Sequence, residues 1–166
     1  MNKIYTKKGD KGKTKTFGGP ISKADQLAVA LGTIDELNSW IGVCRQMFSV
    51  QDLVFNKNLQ NMQTNLMIIN SIIAGSKKYS LKGAETARLE KIIDKLQKDL
   101  PELTNFVYPM GFLQVARAVA RRAEREVITI SQDKNILKYL NRLSDALFVM
   151  ARYGNQKQGI FEEVWK

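Results

Sequence analysis

Apolar residues recur along most of this chain at the three- and four-residue spacing of one helix face. The pattern predicts five amphipathic helices joined by short connections, at residues 23–48, 53–76, 81–99, 110–131 and 134–154. The alternating pattern of strands is missing, apart from a few residues near Lys3 to Thr6. The predicted fold is therefore all-α: a five-helix up-and-down bundle with a four-helix-bundle-like core, preceded by an irregular N-terminal loop of glycine and lysine.

Residues that end or cap helices support these boundaries. All three prolines fall where a helical pattern stops, and Pro101 closely follows the third predicted helix. Ser22, Asp52 and Ser80 stand where the N-caps of the first three helices are expected. No internal repeat and no low-complexity linker divides the chain, so we predict one domain.

The composition excludes several kinds of catalytic site. The chain has no histidine, which rules out a Ser-His-Asp triad, a Cys-His pair, a histidine-ligated zinc and a carboxylate-histidine di-iron bundle. Cys44 is the only cysteine, so neither an internal disulfide nor a multi-cysteine metal site can form. Any catalysis must depend on positioning, on fixed charge, or on the reactivity of a bound ligand.

The same sequence features predict a cytoplasmic protein. The longest apolar stretch, residues 66–75, is interrupted by Asn70 and Ser71 and is much shorter than the ~20 residues that cross a bilayer. The N-terminal MNKIYTKKGDKGK lacks the apolar core of a signal peptide. We therefore expect neither a membrane segment nor export.

Positive charge is concentrated near the N-terminus. The net charge is +10, and residues 1–23 carry seven lysines against one acid, Asp10. Such a segment is either a solvated basic tail or an anion site, with nucleic acid and nucleotide phosphate as candidate ligands. Composition alone does not choose between these possibilities.

The motif TKKGDKGKT, from Thr6 to Thr14, ends like a P-loop but is not one. A Walker A motif needs a glycine five positions before Gly12, where this chain has Lys7, and the strand that precedes such a loop is missing. What remains is a loop whose glycines, Gly9 among them, let backbone N–H groups turn towards an anion, with threonine hydroxyls and lysines around it. The alternative is a flexible basic arm.

Two arginines lie at the edge of a predicted core stripe in the segment RAVARRAER. Arg117, Arg121 and Glu124 fall within a ~60° arc of one helix face, and Arg122 points away from them. Edge arginines are often paired with carboxylates of a neighbouring helix. The alternative is a fork that binds phosphate oxygens, which suits the planar guanidinium group.

Two polar pairs also flank core stripes: Asn141 and Asp145 in the last predicted helix, and Asp35 and Asn38 in the first. Polar side chains at such positions need partners if they are buried. They brace the arginines, bind a ligand, or form a polar network that specifies the register of the bundle.

The chain resembles the PduO-type family of ATP:corrinoid adenosyltransferases in segments that follow the family's order. These are TKKGDKGKT followed by FGG, then GTIDELNSWIG, NFVYP, ARAVARRAER and YLNRLSDALFVMAR. The resemblance extends from the first ten residues almost to the C-terminus. It implies that the protein transfers the 5′-deoxyadenosyl group of ATP to Co(I) of a reduced corrinoid, giving adenosylcobalamin and triphosphate.

The implied reaction agrees with a chain that has no histidine. Co(I) is itself a strong nucleophile and attacks the 5′ carbon of ATP, so no protein base is required. The side chains only have to align the reactants and stabilise the leaving triphosphate.

The resemblance also implies roles for individual residues. ATP and its Mg²⁺ would be held in the N-terminal loop by Thr6, Gly9, Asp10, Gly12, Thr14 and Lys23. Arg117 and Arg121 would meet the nucleotide from the helical side, and the Mg²⁺ would be held mainly through the phosphates. Glu124 and Asn141 would lie alongside these arginines. Phe106 would crowd the lower face of the corrin and keep the lower axial ligand away, which makes Co(II) easier to reduce.

For the assembly, the resemblance implies a homotrimer with each active site between neighbouring subunits, where Asp35 of one subunit pairs with Arg117 of the next. The single domain would comprise a nucleotide-binding loop (1–22), the helical bundle (23–154) and a C-terminal tail (155–166). A corrinoid reductase and an adenosylcobalamin-dependent enzyme are candidate partners, and neither nucleic acid nor a membrane is expected.

Two rival functions remain open at this point. A basic helical module that binds nucleic acid would account for the charge, and salt-dependent DNA binding without a response to ATP would identify it. A non-catalytic corrinoid- or nucleotide-binding protein on the same bundle would bind the substrates without turnover.

Overall fold

The computed structural model describes residues 3–48 and 53–165 and contains the five predicted helices. They are α1 (Gln26–Phe48), α2 (Leu53–Ile73), α3 (Gly83–Gln97), α4 (Phe112–Ile128) and α5 (Lys134–Lys157). Each end lies within a few residues of its prediction, because the apolar spacing that marks a helix is a local property of the chain.

The first helix runs antiparallel to both of its neighbours, α2 and α4. Near the end of α1, Arg45 donates to the side chain of Asn56, which lies near the start of α2. Trp40, also in the second half of α1, stacks on Phe112 at the start of α4. These two contacts place the C-terminal half of α1 beside the first residues of α2 and of α4.

The last helix packs against α4 and α3. Asn135, near the start of α5, donates to the carbonyl of Leu81 just before α3. Arg142, two turns further along α5, pairs with Glu90, which is also two turns into α3. The two helices are therefore parallel, as expected when consecutive helices alternate in direction, and the up-and-down bundle is confirmed.

The core lies between the apolar stripes of the helices. Its largest fully buried side chains are Ile34, Leu37, Ile41, Leu59, Met62, Leu66, Ile69, Ile136, Tyr139, Leu140, Leu143 and Leu147. Removing such apolar surface from water is the main favourable contribution to folding. No helix in the described ranges is long and apolar enough to cross a membrane.

One polar network crosses this core. The hydroxyl of Tyr139 is buried and accepts a hydrogen bond of 3.2 Å from the Asn65 amide, which also donates to Glu85 at 3.0 Å. Burial raises the pKa of Tyr139, so its hydroxyl stays protonated. Because the three residues lie on α5, α2 and α3, the network ties these helices together in one register.

The helix N-caps differ from the predicted ones. Ser22 lies in a strand, and Asp25 instead accepts from the N–H of Leu27 at 2.9 Å at the start of α1. α3 begins after Lys82 without a side-chain cap. The predictions at Ser22 and Ser80 are therefore wrong, because a helix start also depends on where the preceding segment turns. The prediction at Asp52 lies outside the described residues.

A β-hairpin stands where the sequence predicted an irregular loop. Strands β1 (Lys13–Thr16) and β2 (Gly19–Ser22) pair antiparallel, with Thr14 opposite Ile21. The turn of the hairpin contacts the end of α2, where the Gly18 N–H donates to the Ala74 carbonyl at 3.1 Å. The hairpin is too short to show a strand pattern, and its pairing is supported by this distant contact.

Candidate functional site

A cavity of about 340 Å³ opens between α3, α4 and α5, where the polar edges of α4 and α5 meet. It is lined by Ile93, Gln97, Arg117, Arg121, Arg142, Ser144, Asp145, Phe148 and Val149. Arg117 and Arg121 are one turn apart on α4 and therefore lie above one another on the same face. The cavity combines three guanidinium groups with one carboxylate and an aromatic ring.

The first of these arginines, Arg117, is half-buried and is held by its own helix. Its Nε donates to Oε1 of the buried Gln114 at 2.6 Å. Burial lowers the pKa of Arg117, and the neighbouring positive charge of Arg121 lowers it further. Arg117 nevertheless remains cationic, because the ordinary arginine pKa is far above neutral.

Neither Arg117 nor Arg121 has a carboxylate partner among the residues that the structure describes. The structural alternative, in which carboxylates of a neighbouring helix pair with them, is therefore not seen within one chain. Two cations side by side repel one another, and an anion bound between them would remove that repulsion. The arrangement suits phosphate oxygens or a carboxylate from outside the chain.

The third guanidinium group in the cavity is already neutralised. Arg142 pairs with Asp145 at 2.7 Å and with Glu90 at 3.3 Å. The hydrogen bond to Asp145 is the main reason why the pKa of Arg142 is raised. Arg142 was not among the site residues predicted from the sequence, although it lies next to Asn141 in the motif NRLSD. Its partner on α3 is distant in sequence, and no local pattern indicates that pair.

The other predicted residues of α4 and α5 fall at the edge of the same region. Asn141 donates to the Glu124 carboxylate at 3.0 Å, so the structure brings this predicted pair together across the α4–α5 contact. Arg122 points away, as predicted, and pairs with Glu36 on α1. Asp145, a candidate brace for the arginines, contacts Arg142 instead.

The N-terminal residues form a second basic site. A Cβ on Gly9 would lie 3.2 Å from the Lys23 ammonium group, so these residues are close neighbours. The Lys23 N–H donates to the Gly12 carbonyl at 2.9 Å. Gly12 has a left-handed φ of 72°, a conformation that glycine adopts without a steric penalty. The loop therefore brings the side chain of Lys23 against Gly9 and its backbone N–H against Gly12.

The remaining predicted residues of this loop lie around it. Thr6 accepts weakly from the Lys8 N–H at 3.4 Å, and Asp10 is exposed. Thr14 is half-buried in β1 and lines a cavity of about 520 Å³ between the hairpin, α1 and the end of α2. None of the residues that line this cavity also lines the arginine cavity. Within one chain, the two candidate anion sites are separate.

Two predicted residues face outward. Asp35 is exposed on α1, and its carboxylate has no partner in the described part of the chain. Phe106 lies between α3 and α4 with 76% of its surface exposed. A large solvent-exposed aromatic ring is typical of surfaces that bind something else. The described residues contain no cluster of three acidic, histidine or cysteine side chains that could hold a metal ion.

Comparison with known proteins places these features in one family. A family model described as cobalamin adenosyltransferase matches residues 4–154. The chain is 42% identical to the corrinoid adenosyltransferase MMAB of Bos taurus, a match that covers 99% of this chain and 76% of the relative. It is 36% identical to the corrinoid adenosyltransferase of Bacillus subtilis, over 95% of this chain and 89% of the relative.

Solved structures are similar to nearly the whole chain. One is a phenylalanine-to-alanine variant of the PduO-type ATP:corrinoid adenosyltransferase from Lactobacillus reuteri, complexed with cobalamin and ATP. Its TM-score is 0.90 at 32% identity, with 99% of each chain covered. An arginine-to-lysine variant from the same organism, complexed with ATP, has a TM-score of 0.87 at 32% identity and covers 98% of this chain.

Proposed function

The chain belongs to the cobalamin adenosyltransferase family, and we propose that its two basic sites, separate within one chain, meet at a single active site between subunits. The enzyme transfers the 5′-deoxyadenosyl group of ATP to Co(I) of a reduced corrinoid. The products are adenosylcobalamin and triphosphate. The observation that carries the proposed site is the pair Arg117 and Arg121, which lines a cavity without a carboxylate partner in the described chain.

The two arginines stabilise the leaving group. As the cobalt–carbon bond forms, the bond between the 5′ carbon and oxygen breaks, and its electron pair goes to triphosphate. The negative charge on the leaving oxygen grows during this step. Arg117 and Arg121 are fixed one turn apart on a rigid helix, so their positive charges need little rearrangement to stabilise it. No side chain has to gain or lose a proton.

The N-terminal loop holds the other side of the triphosphate. Its lysines supply charge, and Gly9 and Gly12 let backbone N–H groups approach phosphate oxygens closely. Thr6 and Thr14 add hydroxyl donors. Support for this role comes from Lys23, whose ammonium group already lies against Gly9. Glu124 and Asn141, which contact each other at the edge of the arginine cavity, orient the nucleoside part of ATP.

The N-terminal loop would hold Mg²⁺ together with ATP. The loop offers the Asp10 carboxylate and the hydroxyls of Thr6 and Thr14, which are hard oxygen donors of the kind that Mg²⁺ accepts. Mg²⁺ usually keeps several waters and binds through one or two carboxylates and substrate phosphates, so this small donor set fits. When bound, the ion would neutralise part of the triphosphate charge.

The active assembly is a homotrimer in which Asp35 of one subunit pairs with Arg117 of the next. Support comes from their complementary state in one chain: an exposed carboxylate and a half-buried guanidinium group, neither of which has an oppositely charged partner among the described residues. Pairing them between subunits gives the Asp35 carboxylate a partner on one edge of the Arg117 guanidinium group, leaves other N–H donors of that group for the triphosphate, and joins the loop of one chain to the arginine cavity of its neighbour.

Phe106 acts on the corrin side of the site. Its exposed ring offers an apolar surface on which a corrin can rest, and the same ring leaves no polar group to replace the lower axial ligand. Loss of that ligand makes Co(II) easier to reduce. The protein is proposed to work in the cytoplasm, with a corrinoid reductase as its electron source and an adenosylcobalamin-dependent enzyme as the acceptor of its product.

The rival nucleic-acid module explains the position of the arginines less well. Binding to a phosphate backbone favours cations on a solvated face, whereas Arg117 lies half-buried in a cavity beside the core stripe of α4.

The decisive experiment incubates the protein anaerobically with ATP, Mg²⁺ and chemically reduced cobalamin, and follows the adenosylcobalamin spectrum. A folded trimer that gives no product would exclude the enzyme. Salt-dependent DNA binding without a response to ATP would then favour the nucleic-acid module, and binding of ATP or corrinoid without turnover would favour the non-catalytic protein.

A further inference from the structure

Residues 158–165, which follow α5 and are called the tail below, form a short antiparallel contact with the connection between α3 and α4. The part of that connection from 101 to 111 carries Phe106 and is called the Phe106 segment. Val164 bridges to Val107. The Trp165 N–H donates to the Phe106 carbonyl at 2.8 Å, and the Tyr108 N–H donates to the carbonyl of Glu163 at 2.9 Å. The backbone on both sides of Phe106 is therefore hydrogen-bonded to the tail.

Side chains add to this backbone contact. The Asn105 amide donates to the Trp165 carbonyl at 2.9 Å, and the rings of Phe106 and Trp165 lie 6.4 Å apart at a tilt of 58°. Both rings remain largely exposed, so the bundle itself contributes little to holding them. Among the described residues, Phe106 is therefore held mainly by the tail.

A buried ion pair attaches the tail to the bundle. Arg152 on α5 is only 5% exposed and is the one charged side chain that is buried in the described residues. Its Nε and Nη2 donate to the two carboxylate oxygens of Glu162 at 2.5 and 2.9 Å, and Nη2 also donates to the Pro101 carbonyl at 2.8 Å. One guanidinium group thus joins α5, the tail and the start of the Phe106 segment.

The same guanidinium group touches the wall of the arginine cavity. It lies over the ring of Phe148, with 5.9 Å between Cζ and the ring centroid, and Phe148 lines the cavity. Arg152 therefore connects the triphosphate side of the proposed site to the segment that carries Phe106. Planar, bidentate contacts of this kind fix geometry as well as charge.

We propose that Arg152 and Glu162 are positioning residues of the transferase: they clamp the C-terminal tail, and the tail holds Phe106 at the corrin face. The inference rests on the proposed role of Phe106. Its physical basis is that an exposed segment of a few residues loses conformational entropy when it is ordered, which charge-assisted bidentate hydrogen bonds from a fixed guanidinium group offset. The clamp acts through Phe106 and touches no reacting atom.

The variant chosen for the test is Glu162→Gln. Arg152 is the buried member of the pair and also bonds the Pro101 carbonyl, so replacing it would remove packing inside the bundle and endanger folding, whereas Glu162 is 21% exposed. Glu162→Gln keeps the shape of the side chain and one acceptor but removes the charge. Glu162→Asp, which keeps the charge on a shorter side chain, serves as the conservative rescue. Arg88→Gln is the matched control, because it breaks an exposed arginine–glutamate pair that does not touch the tail.

The first measurement asks whether the clamp holds the tail. The chain has two tryptophans, so in a Trp40→Phe background Trp165 is the only fluorescent indole. With Glu162→Gln we expect acrylamide to quench Trp165 roughly twice as efficiently, because the tail opens locally, while Arg88→Gln changes nothing. Unchanged quenching would overturn the clamp whatever the enzyme's activity.

The second measurement asks whether the clamp positions Phe106. Starting from Co(II) with a reductant, Glu162→Gln should lower the rate about tenfold, whereas the rate from pre-reduced Co(I) should stay within about twofold. Glu162→Asp should recover part of the loss. Equal losses on both routes, or no recovery with Asp, would assign Glu162 to general stability and overturn the positioning role.

Phe106→Ala is measured in parallel to separate the two proposals. If Phe106→Ala is selective for the Co(II) route and Glu162→Gln is not, the positioning role fails while the proposed function stands. If Phe106→Ala is itself indifferent to the starting state of cobalt, the proposed role of Phe106 fails, and positioning through it fails as well. The quenching result then decides only whether the clamp exists.

Discussion

A Cβ placed on Gly75 would lie only 3.0 Å from the backbone nitrogen of Gly18. Gly75 follows α2 with a left-handed φ of 95°, and the Gly18 N–H donates to the carbonyl of Ala74. The absence of a side chain at 75 therefore lets the hairpin turn rest on the end of α2. This contact anchors the part of the chain that continues the proposed phosphate-binding loop.

Gly75→Ala should therefore weaken ATP binding. The substitution introduces a steric contact with Gly18, which the hairpin relieves by moving away, and a backbone strain of about 1–2 kcal/mol at position 75, which remains. We expect the KM for ATP to rise several-fold with kcat changing little, and the melting temperature to fall by a few degrees. Gly83→Ala is the control, since its Cβ would make only an ordinary 3.7 Å contact. An unchanged KM would show that the hairpin anchor does not matter for ATP.

Arg121→Ala should slow the chemical step. Loss of one electrostatic donor at a developing charge typically costs about 2–4 kcal/mol, or roughly 30- to 900-fold in kcat. Single-turnover formation of adenosylcobalamin from pre-reduced Co(I) measures this directly. Arg88→Ala removes a guanidinium group from an exposed position on α3 and should be neutral. A normal rate for Arg121→Ala would assign the residue to structure.

Asp35→Asn should weaken the trimer. If Asp35 pairs with Arg117 of a neighbouring subunit, removing its charge costs about 2–5 kcal/mol for a well-buried contact. Sedimentation at decreasing protein concentration should show smaller species at concentrations where the unmodified protein is still trimeric. Asp99→Asn changes another exposed aspartate and should leave the mass unaltered. Identical dissociation of the Asp35 variant and the unmodified protein would exclude the pair.

Phe106→Ala should affect the two cobalt oxidation states differently. Without the ring, the lower axial ligand can stay bound to cobalt, and Co(II) becomes harder to reduce. Pre-reduced Co(I) does not need that step. We expect a loss of at least about tenfold from Co(II) and a much smaller loss from Co(I). Tyr79→Ala, a half-exposed ring elsewhere on the surface, is the control, and equal losses on both routes for Phe106→Ala would contradict its role.

Cys44 should be unreactive in the folded protein. Burial raises the pKa of the Cys44 thiol to about 11, so at pH 8 only about one thiol in a thousand is ionised. The thiol of the unfolded chain ionises near pH 9, so between pH 9 and 11 unfolding releases a proton from Cys44. The free energy of unfolding therefore falls as the pH rises through that window. Alkylation should rise tenfold per pH unit up to that range, and a plateau near pH 9 in native protein would refute the shift.

The helices could be predicted because their information is local. Residues such as Ile34, Leu37 and Ile41 repeat at helical spacing, and burying that stripe is favourable in almost any bundle. The edge position of Arg117 and Arg121 followed from the same spacing. The hairpin was missed because its two four-residue strands carry little pattern of their own.

The sequence by itself determined the helical fold, the histidine-free chemistry and the residues of α4 that line the cavity, because each depends on residue type and on spacing within a few turns. Only the tertiary structure decided that Arg142 is already neutralised by Glu90, that Arg152 clamps Glu162, and that the tail pairs with the Phe106 segment. These contacts join residues whose separation along the chain carries no periodic signal, so they become visible only when packing brings the segments together.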